Sequence, residues 1–455
     1  MAQSGRPSAL SRLAERIETA LVRLGARPSI ERVEAAAVFV HECMSRRGRI
    51  FHSVEHALVV SNSPDPAQAL GGIFHDIVYW QVDGGLVERV GTLIGAGLRI
   101  EGDDVFVKSD PREGDSDLAV AMAIFGIEPG QRLELLGGRN EFLSALVALK
   151  LVGRDLTLGA KARIAASIEA TFPFRKADEG GSPLDRLYAR LVRANEALSL
   201  GLSADDLVAT TIGGQQISHR DLGSFGQDDP ARFLDNTWQL IPETTFALRT
   251  RAYYTCSEYR AALERMERFL ANLDPSLVFM RFRDNPDEQT WRTKTDAAAN
   301  NIRVGTRYLR AKLAAAYTIE AFAEGSGGDA PVSLFMGDLP DGTPLLHLED
   351  FLPEAPARST DLDDLVERLL VDGRSRDTDF DIKHAPVAAF IYRSLGCAET
   401  ERFLAKARET ARPDERLRHL EPRVRDPIAA ALIRLAPTRS SRIVELMEFL
   451  SSLTR

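Results

Sequence analysis

Residues 51–79, FHSVEHALVVSNSPDPAQALGGIFHDIVY, decide how this chain is read. His52 and His56 are four residues apart, which on a helix places them on one face, one turn from each other. His75 and Asp76 come 19 residues after His56 (75 − 56), which leaves room for one helix, the SNSPDP turn and a second helix. Neutral imidazole and carboxylate together suit divalent first-row metals. A His-Asp dipeptide alone says little. Here GGIFHDIVY is apolar on both sides of it, and a carboxylate buried in such a segment is costly unless it is paired or bound to a metal. His75 and Asp76, together with the upstream His52 and His56 pair, are therefore expected to form a metal site. Arg46, Arg47 and Arg49, just upstream, read as a solvated basic turn, with steering of an anionic substrate as the alternative.

The surrounding chain is mostly helical in pattern. Leu10, Leu13, Ile17 and Leu21 recur at helical spacing until Gly25, and Ser29 is a suitable N-cap for the next run. Near the other end, Asp426-Pro427 reads as a helix start, followed by Ile443, Leu446, Met447 and Leu450 on one face. Weak alternation predicts short β segments at Gly97–Val107 and Val332–Leu346. Breaks fall at 178–183, 325–331 and 352–360. The fold class expected is mainly α: a helical metal-binding domain over 1–250 and a second, mostly helical domain over 251–455. At 455 residues the chain is long enough for two or three domains.

Composition narrows the function. With 44% hydrophobic and 27% charged residues the chain has an ordinary globular make-up, and a formal charge of −9 argues against general nucleic-acid binding. Cys43, Cys256 and Cys397 are too few and too scattered for a disulfide framework or a Cys-rich zinc site. The first 25 residues lack the apolar core of a signal peptide, and no run approaches the ~18 apolar residues of a membrane span. A reducing, cytoplasmic setting is expected.

These residues resemble the HD-domain superfamily, in which a His, an adjacent His-Asp and a distant Asp surround a metal within a helical bundle. Phe51-His52-Ser53-Val54-Glu55-His56-Ala57 also looks like the HNxxHA motif of cyclic-nucleotide phosphodiesterases, with Ser53 in place of Asn. That resemblance implies His52 as general acid and His56 as ligand. A closer likeness is to bacterial predicted metal-dependent HD phosphohydrolases. Phe74–Tyr79 (FHDIVY), Asn140–Ala145 (NEFLSA), Ile168–Thr171 (IEAT) and Asp221-Leu222…Gly226 follow that group's order over about residues 40–226. Two departures are visible. An insertion at about 81–138 separates FHDIVY from NEFLSA, and Pro173-Phe174-Arg175 stands where the group has a histidine.

The resemblance implies an HD-type bundle with Asp221 as the distant ligand; Asp205, Asp206 and Asp235 are the alternatives. Glu141 is implied as a catalytic residue beside the metal, and Asn140, Arg175 and Arg220 as substrate contacts. A helix N-terminus accounts equally well for Asn140 and Glu141. His219 reads as either an extra ligand or a bystander. No histidine occurs between His75 and His219, which argues against di-iron oxidation and multinuclear sites. The expected function is metal-dependent hydrolysis of a phosphate ester or anhydride, with a small phosphorylated molecule such as a nucleotide as substrate. The cofactor is a divalent ion that the ligand types do not distinguish among Mn, Fe, Zn, Mg, Co and Ni. The second reading is an HD scaffold of little turnover serving as a binding or regulatory module, its C-terminal half suited to partner binding or homo-oligomerisation.

Overall fold

The computed structural model describes residues 6–108, 115–249, 254–338, 345–354 and 359–453. Among these the chain forms twenty α-helices and one two-stranded hairpin, so the protein is mainly α. Among the described residues no helix is long and apolar enough to cross a membrane. The chain divides into two compact units, Met1–Gly226 with Asp274–Ala298, and Gln227–Leu273 with Ala299–Arg455.

The first unit contains α1 (Ala9–Arg23), α2 (Ile30–Met44), α3 (Val54–Val60), α4 (Pro66–Phe74), α5 (Trp80–Asp83), α6 (Glu88–Ile94), α7 (Ser116–Phe125), α8 (Arg139–Val152), α9 (Leu158–Glu169), α10 (Pro183–Ala197) and α11 (Ala204–Asp221). As the sequence predicts, α1 buries Leu13, Ile17 and Leu21, though Leu10 of the same run stays exposed, and Gly25 adopts φ +88 just past its end. Ser29 caps α2 by accepting a hydrogen bond from the Arg32 amide. The expected β segment is the hairpin of β1 (Leu98–Glu101) and β2 (Asp104–Val107), antiparallel with Leu98 opposite Val107 and turned through Gly102 at φ +62. With α6 and α7 it lies within residues 81–138.

Helix α4 is the centre of this unit. Asp65 caps it, Pro66 occupies its first turn, and residues 67–74 are all buried. It packs against α1, α3, α8, α9 and α11, which explains why GGIF is apolar all round instead of amphipathic. Close approach depends on glycine at two points. A Cβ on Gly72 would lie 2.6 Å from the backbone of Ser61, and one on Gly214 of α11 would lie 2.8 Å from the Ala170 side chain.

The second unit contains α12 (Pro230–Glu243), α13 (Cys256–Asn272), the later part of α14 (Glu288–Gly327), α15 (Val332–Met336), α16 (Asp364–Val371), α17 (Pro386–Glu409), α18 (Pro413–Arg418), α19 (Pro422–Leu435) and α20 (Ser440–Ser452). Three expectations are corrected. The β segment predicted from Val332 is a short helix over Val332–Met336; residues 339–344, like 355–358 in the break at 352–360, lie outside the described residues. Asp426-Pro427 does not open a helix, because α19 already starts at Pro422 and Pro427 sits inside it. The division also differs from the predicted boundary at 250: the first unit ends at Gly226 and regains 274–298. The reason is that Gln215 on α11 donates to the carbonyls of Met280 and Asn285, while Phe282 enters the core of the first unit.

Exchanging an exposed helical glycine for alanine ordinarily stabilises by about 0.8–1 kcal/mol. At Gly72 the overpacking should reverse the sign. Gly72→Ala is expected to destabilise the protein by about 1–3 kcal/mol in urea denaturation, and a stabilised variant would contradict the close approach of α4 to residues 60–61.

Candidate metal centre

Four donor groups from three stretches of the first unit meet at one point. His56 lies in the first turn of α3, His75 is the C-cap of α4, Asp76 follows it, and Asp221 is the last residue of α11. One donor atom from each lies within 4.8 Å of all the others. His56 Nε2 is 3.0 Å from Asp221 Oδ1 and 3.6 Å from Asp76 Oδ2. His75 Nε2 is 2.8 Å from Asp76 Oδ2 and 3.4 Å from Asp221 Oδ1, and the two Nε2 atoms are 3.3 Å apart. Donors placed tetrahedrally at ~2.0–2.2 Å from a common ion stand roughly 3.3–3.6 Å apart, so these separations bracket what such an ion needs. His75 is 1% exposed and Asp76 21%, which makes His75 the floor and leaves the carboxylates accessible.

The orientation of His75 is set. Its Nδ1–H donates to the Gly72 carbonyl at 3.0 Å, which turns the Nε2 lone pair towards the cluster. The glycine that lets α4 pack thus also supplies the acceptor that fixes a ligand tautomer. Burial alone would lower the His56 pKa, but the hydrogen bonds it donates to Asp221 and Asp76 outweigh it and raise it. For His75 the charges of Asp76 and Asp221 overcome burial and hold the imidazole well above its ordinary range. The carboxylates shift the other way: His75 and His52 hold Asp76 well down, and His75 and His56 hold Asp221 down to about 2. The two imidazoles therefore hold protons more readily than free histidine does, and a cation competes with protons for them.

A second ring of contacts fixes the segment around Asp76. Arg49 donates twice to Asp83, at 2.7 and 3.1 Å, and its remaining terminal nitrogen donates to the Asp76 carbonyl at 2.6 Å. The guanidinium and carboxylate are both buried. On α8, Ser144 Oγ accepts from the Val78 amide at 3.1 Å and Asn140 Oδ1 accepts from the Trp80 amide at 3.2 Å. The NEFLSA segment therefore clamps the backbone that follows the His-Asp pair. Burial pushes the Glu141 carboxyl up to about 7; Asp76 adds to this, while backbone hydrogen bonding, Arg175 and His75 oppose it.

Several sequence expectations are revised. His52 is not on a helix with His56, because α3 begins only at Val54. It sits in the preceding bend, ring edge against Tyr79 and Nε2 3.9 Å from Asp76 Oδ2, beside the donor set and outside it. The three residues expected to contact substrate are engaged within the fold. Asn140 holds Trp80 and Gln81, Arg175 pairs with Glu169 at 2.6 Å, and Arg220 donates to the Val60 carbonyl and Gln68. The same commitment removes Arg49 from any solvated turn. His219 donates to the Met280 carbonyl, and burial lowers its pKa to about 4. Asp221 enters the cluster; Asp235 instead belongs to the second unit, and Asp205 and Asp206 lie in the first turn of α11. Sequence reasoning missed Asp83 altogether, since nothing local marks a residue paired with one 34 positions away.

No family model, no curated protein and no solved structure matches this chain.

Cation binding should release protons, so apparent affinity for Mn²⁺ should strengthen as pH rises through the imidazole range. Calorimetry in buffers of differing ionisation enthalpy checks this, and binding without proton release would contradict the protonated cluster. Glu141 gives a second test in chelator-treated protein. Its folded pKa, about 7, lies above its unfolded value of 4.5, so its contribution to stability is present below pH 4.5 and is lost as pH rises through 7. The melting temperature of Glu141→Gln relative to the parent should therefore increase from pH 4.5 to pH 8; a difference that is flat with pH would contradict the buried acid.

Proposed function

We propose that this protein is a metal-dependent phosphohydrolase of HD type, acting on a phosphate ester or anhydride and most naturally on a nucleotide. The observation that carries the reading is the convergence of His56, His75, Asp76 and Asp221 from separate helices, with the His75 tautomer already set. The donor types and spacings fit a divalent ion. When bound, such an ion supplies Lewis acidity, drawing charge from a phosphoryl oxygen and making water more acidic.

The chain's own residues would do the rest. His56, His75, Asp76 and Asp221 would fix the ion on a rigid frame that Arg49, Ser144 and Asn140 hold in place. Glu141, with a pKa near neutrality, is suited to accept a proton from the attacking water. His52 stands at the accessible edge beside Asp76, where it can hold a proton for the departing oxygen. Ser53 in place of Asn gives His52 a different neighbour from the phosphodiesterase motif, and the ring is instead flanked by Phe51 and Tyr79.

One observation favours the second reading, a binding or regulatory module on the same scaffold. Asn140, Arg175 and Arg220 all spend polar groups inside the fold, so the substrate contacts expected of them are missing. The two readings separate experimentally. The purified protein should carry about one equivalent of divalent metal and release phosphate or nucleotide from at least one member of a panel of nucleotides and a generic phosphodiester. Asp76→Ala should lose metal and turnover together. His52→Ala should keep the metal and lose about 10²–10⁴ in kcat. Stoichiometric metal with no turnover on any substrate would favour the binding module, and no metal at all would defeat the metal centre and the hydrolase with it.

A further inference from the structure

The second unit contains a cavity of about 520 Å³ that is independent of the metal cluster. Ala315, Ala316, Ile319, Val332, Met336 and Val387 supply apolar wall, and Lys312, Asp381 and Tyr259 also line it. The volume falls within the range of small-molecule sites, about 300–1,000 Å³.

The polar groups are unevenly matched. Lys312 is buried on α14, and its ammonium donates to Asp381 Oδ2 at 2.5 Å. That oxygen also accepts from Trp238 Nε1 at 2.7 Å. The other two N–H groups of Lys312 have no acceptor among the described residues. The Tyr259 ring centre is 5.8 Å from Lys312 Nζ, and the Tyr259 hydroxyl likewise makes no hydrogen bond among the described residues. Tyr254, by contrast, spends its hydroxyl on the Phe380 carbonyl. The cavity thus offers unused donors at the Lys312 end.

Charge narrows the ligand further. Asp381 faces Lys312 and, at 3.8 Å, Arg374, whose guanidinium lies 4.0 Å from Asp235. Two cations and two carboxylates balance. Glu349 and Asp338 border the cavity as well and add negative charge, and His347 and His384 also line it. An anionic ligand would bring an uncompensated charge into this setting, and an ammonium group would meet Lys312; each is costly when buried. A neutral acceptor satisfies the donors without disturbing the balance. Burial also lowers the Lys312 pKa, which agrees with an ammonium held in poorly solvated surroundings.

We propose that this cavity is a binding site for an uncharged small molecule with an apolar body and a carbonyl-type acceptor, which Lys312 and Tyr259 hold. The test uses the full-length protein and three probes that share one apolar body: 2-acetonaphthone, 2-naphthoate and 2-(aminomethyl)naphthalene. In calorimetric or NMR titrations the ketone is expected to bind about tenfold or more tightly than the other two, a difference of ~1.4 kcal/mol. Ala316→Phe, which fills the cavity and leaves the ion pair alone, should abolish ketone binding while circular dichroism stays unchanged. Lys312→Met should weaken it about tenfold; because that change strands Asp381, Tyr259→Phe serves as the milder variant and should weaken it several-fold. Equal or tighter binding of the carboxylate or amine, absence of binding by all three probes, or ketone binding untouched in a folded Ala316→Phe protein would overturn the proposal.

Discussion

Two imidazole nitrogens and two carboxylate oxygens are held within 4.8 Å of one another in the first unit, and such a set needs positive charge at its centre. In the metal-free protein this favours protons on the imidazoles: the histidine pKa values rise while those of the aspartates fall. A divalent ion supplies it more completely, since it meets all four donors at once. Much of the first unit can be understood as the framework that forces these four groups together.

That framework has two parts. Helix α4 is buried over residues 67–74 and is brought close to its neighbours by glycine, so that its C-terminus delivers His75 and Asp76 to the interior. The segment after it is then pinned from both sides: Arg49, backed by Asp83, grips the Asp76 carbonyl, and Ser144 and Asn140 hold the amides of Val78 and Trp80. Helix α11 closes the site. Gly214 lets it pass Ala170, and hydrogen bonds from Gln215 and His219 tie it to the returning segment 274–298. Asp221 arrives at the cluster because of that anchoring, 145 residues after Asp76 (221 − 76).

Local features were legible in the sequence where they depend on short-range physics. The apolar flanks of His75-Asp76 mark the burial of His75, with Asp76 only half-buried beside it; Ser29 and Gly25 mark helix ends, and weak alternation marks the hairpin at 98–107. Pairings across the chain were not legible. A basic residue such as Arg49 looks the same in sequence whether it faces solvent or grips Asp83, and Arg175 and Arg220 look like phosphate contacts until their intramolecular partners are seen. The bend at His52 was missed because an i, i+4 spacing reads as one helix, whereas α3 starts at Val54, two residues too late to include His52. The division into units was misplaced because a stretch lying beyond α13 in sequence returns to the first core, a long-range event without a local signal.

The central claim is that His56, His75, Asp76 and Asp221 bind one divalent ion. Its most direct test is anomalous diffraction from crystals of the protein grown with Mn²⁺, collected at a wavelength where manganese scatters anomalously. One strong peak is expected roughly 2.0–2.3 Å from His56 Nε2, His75 Nε2 and an oxygen of each aspartate. A cluster still closed by its own hydrogen bonds, with no peak or with the ion bound elsewhere, would contradict it.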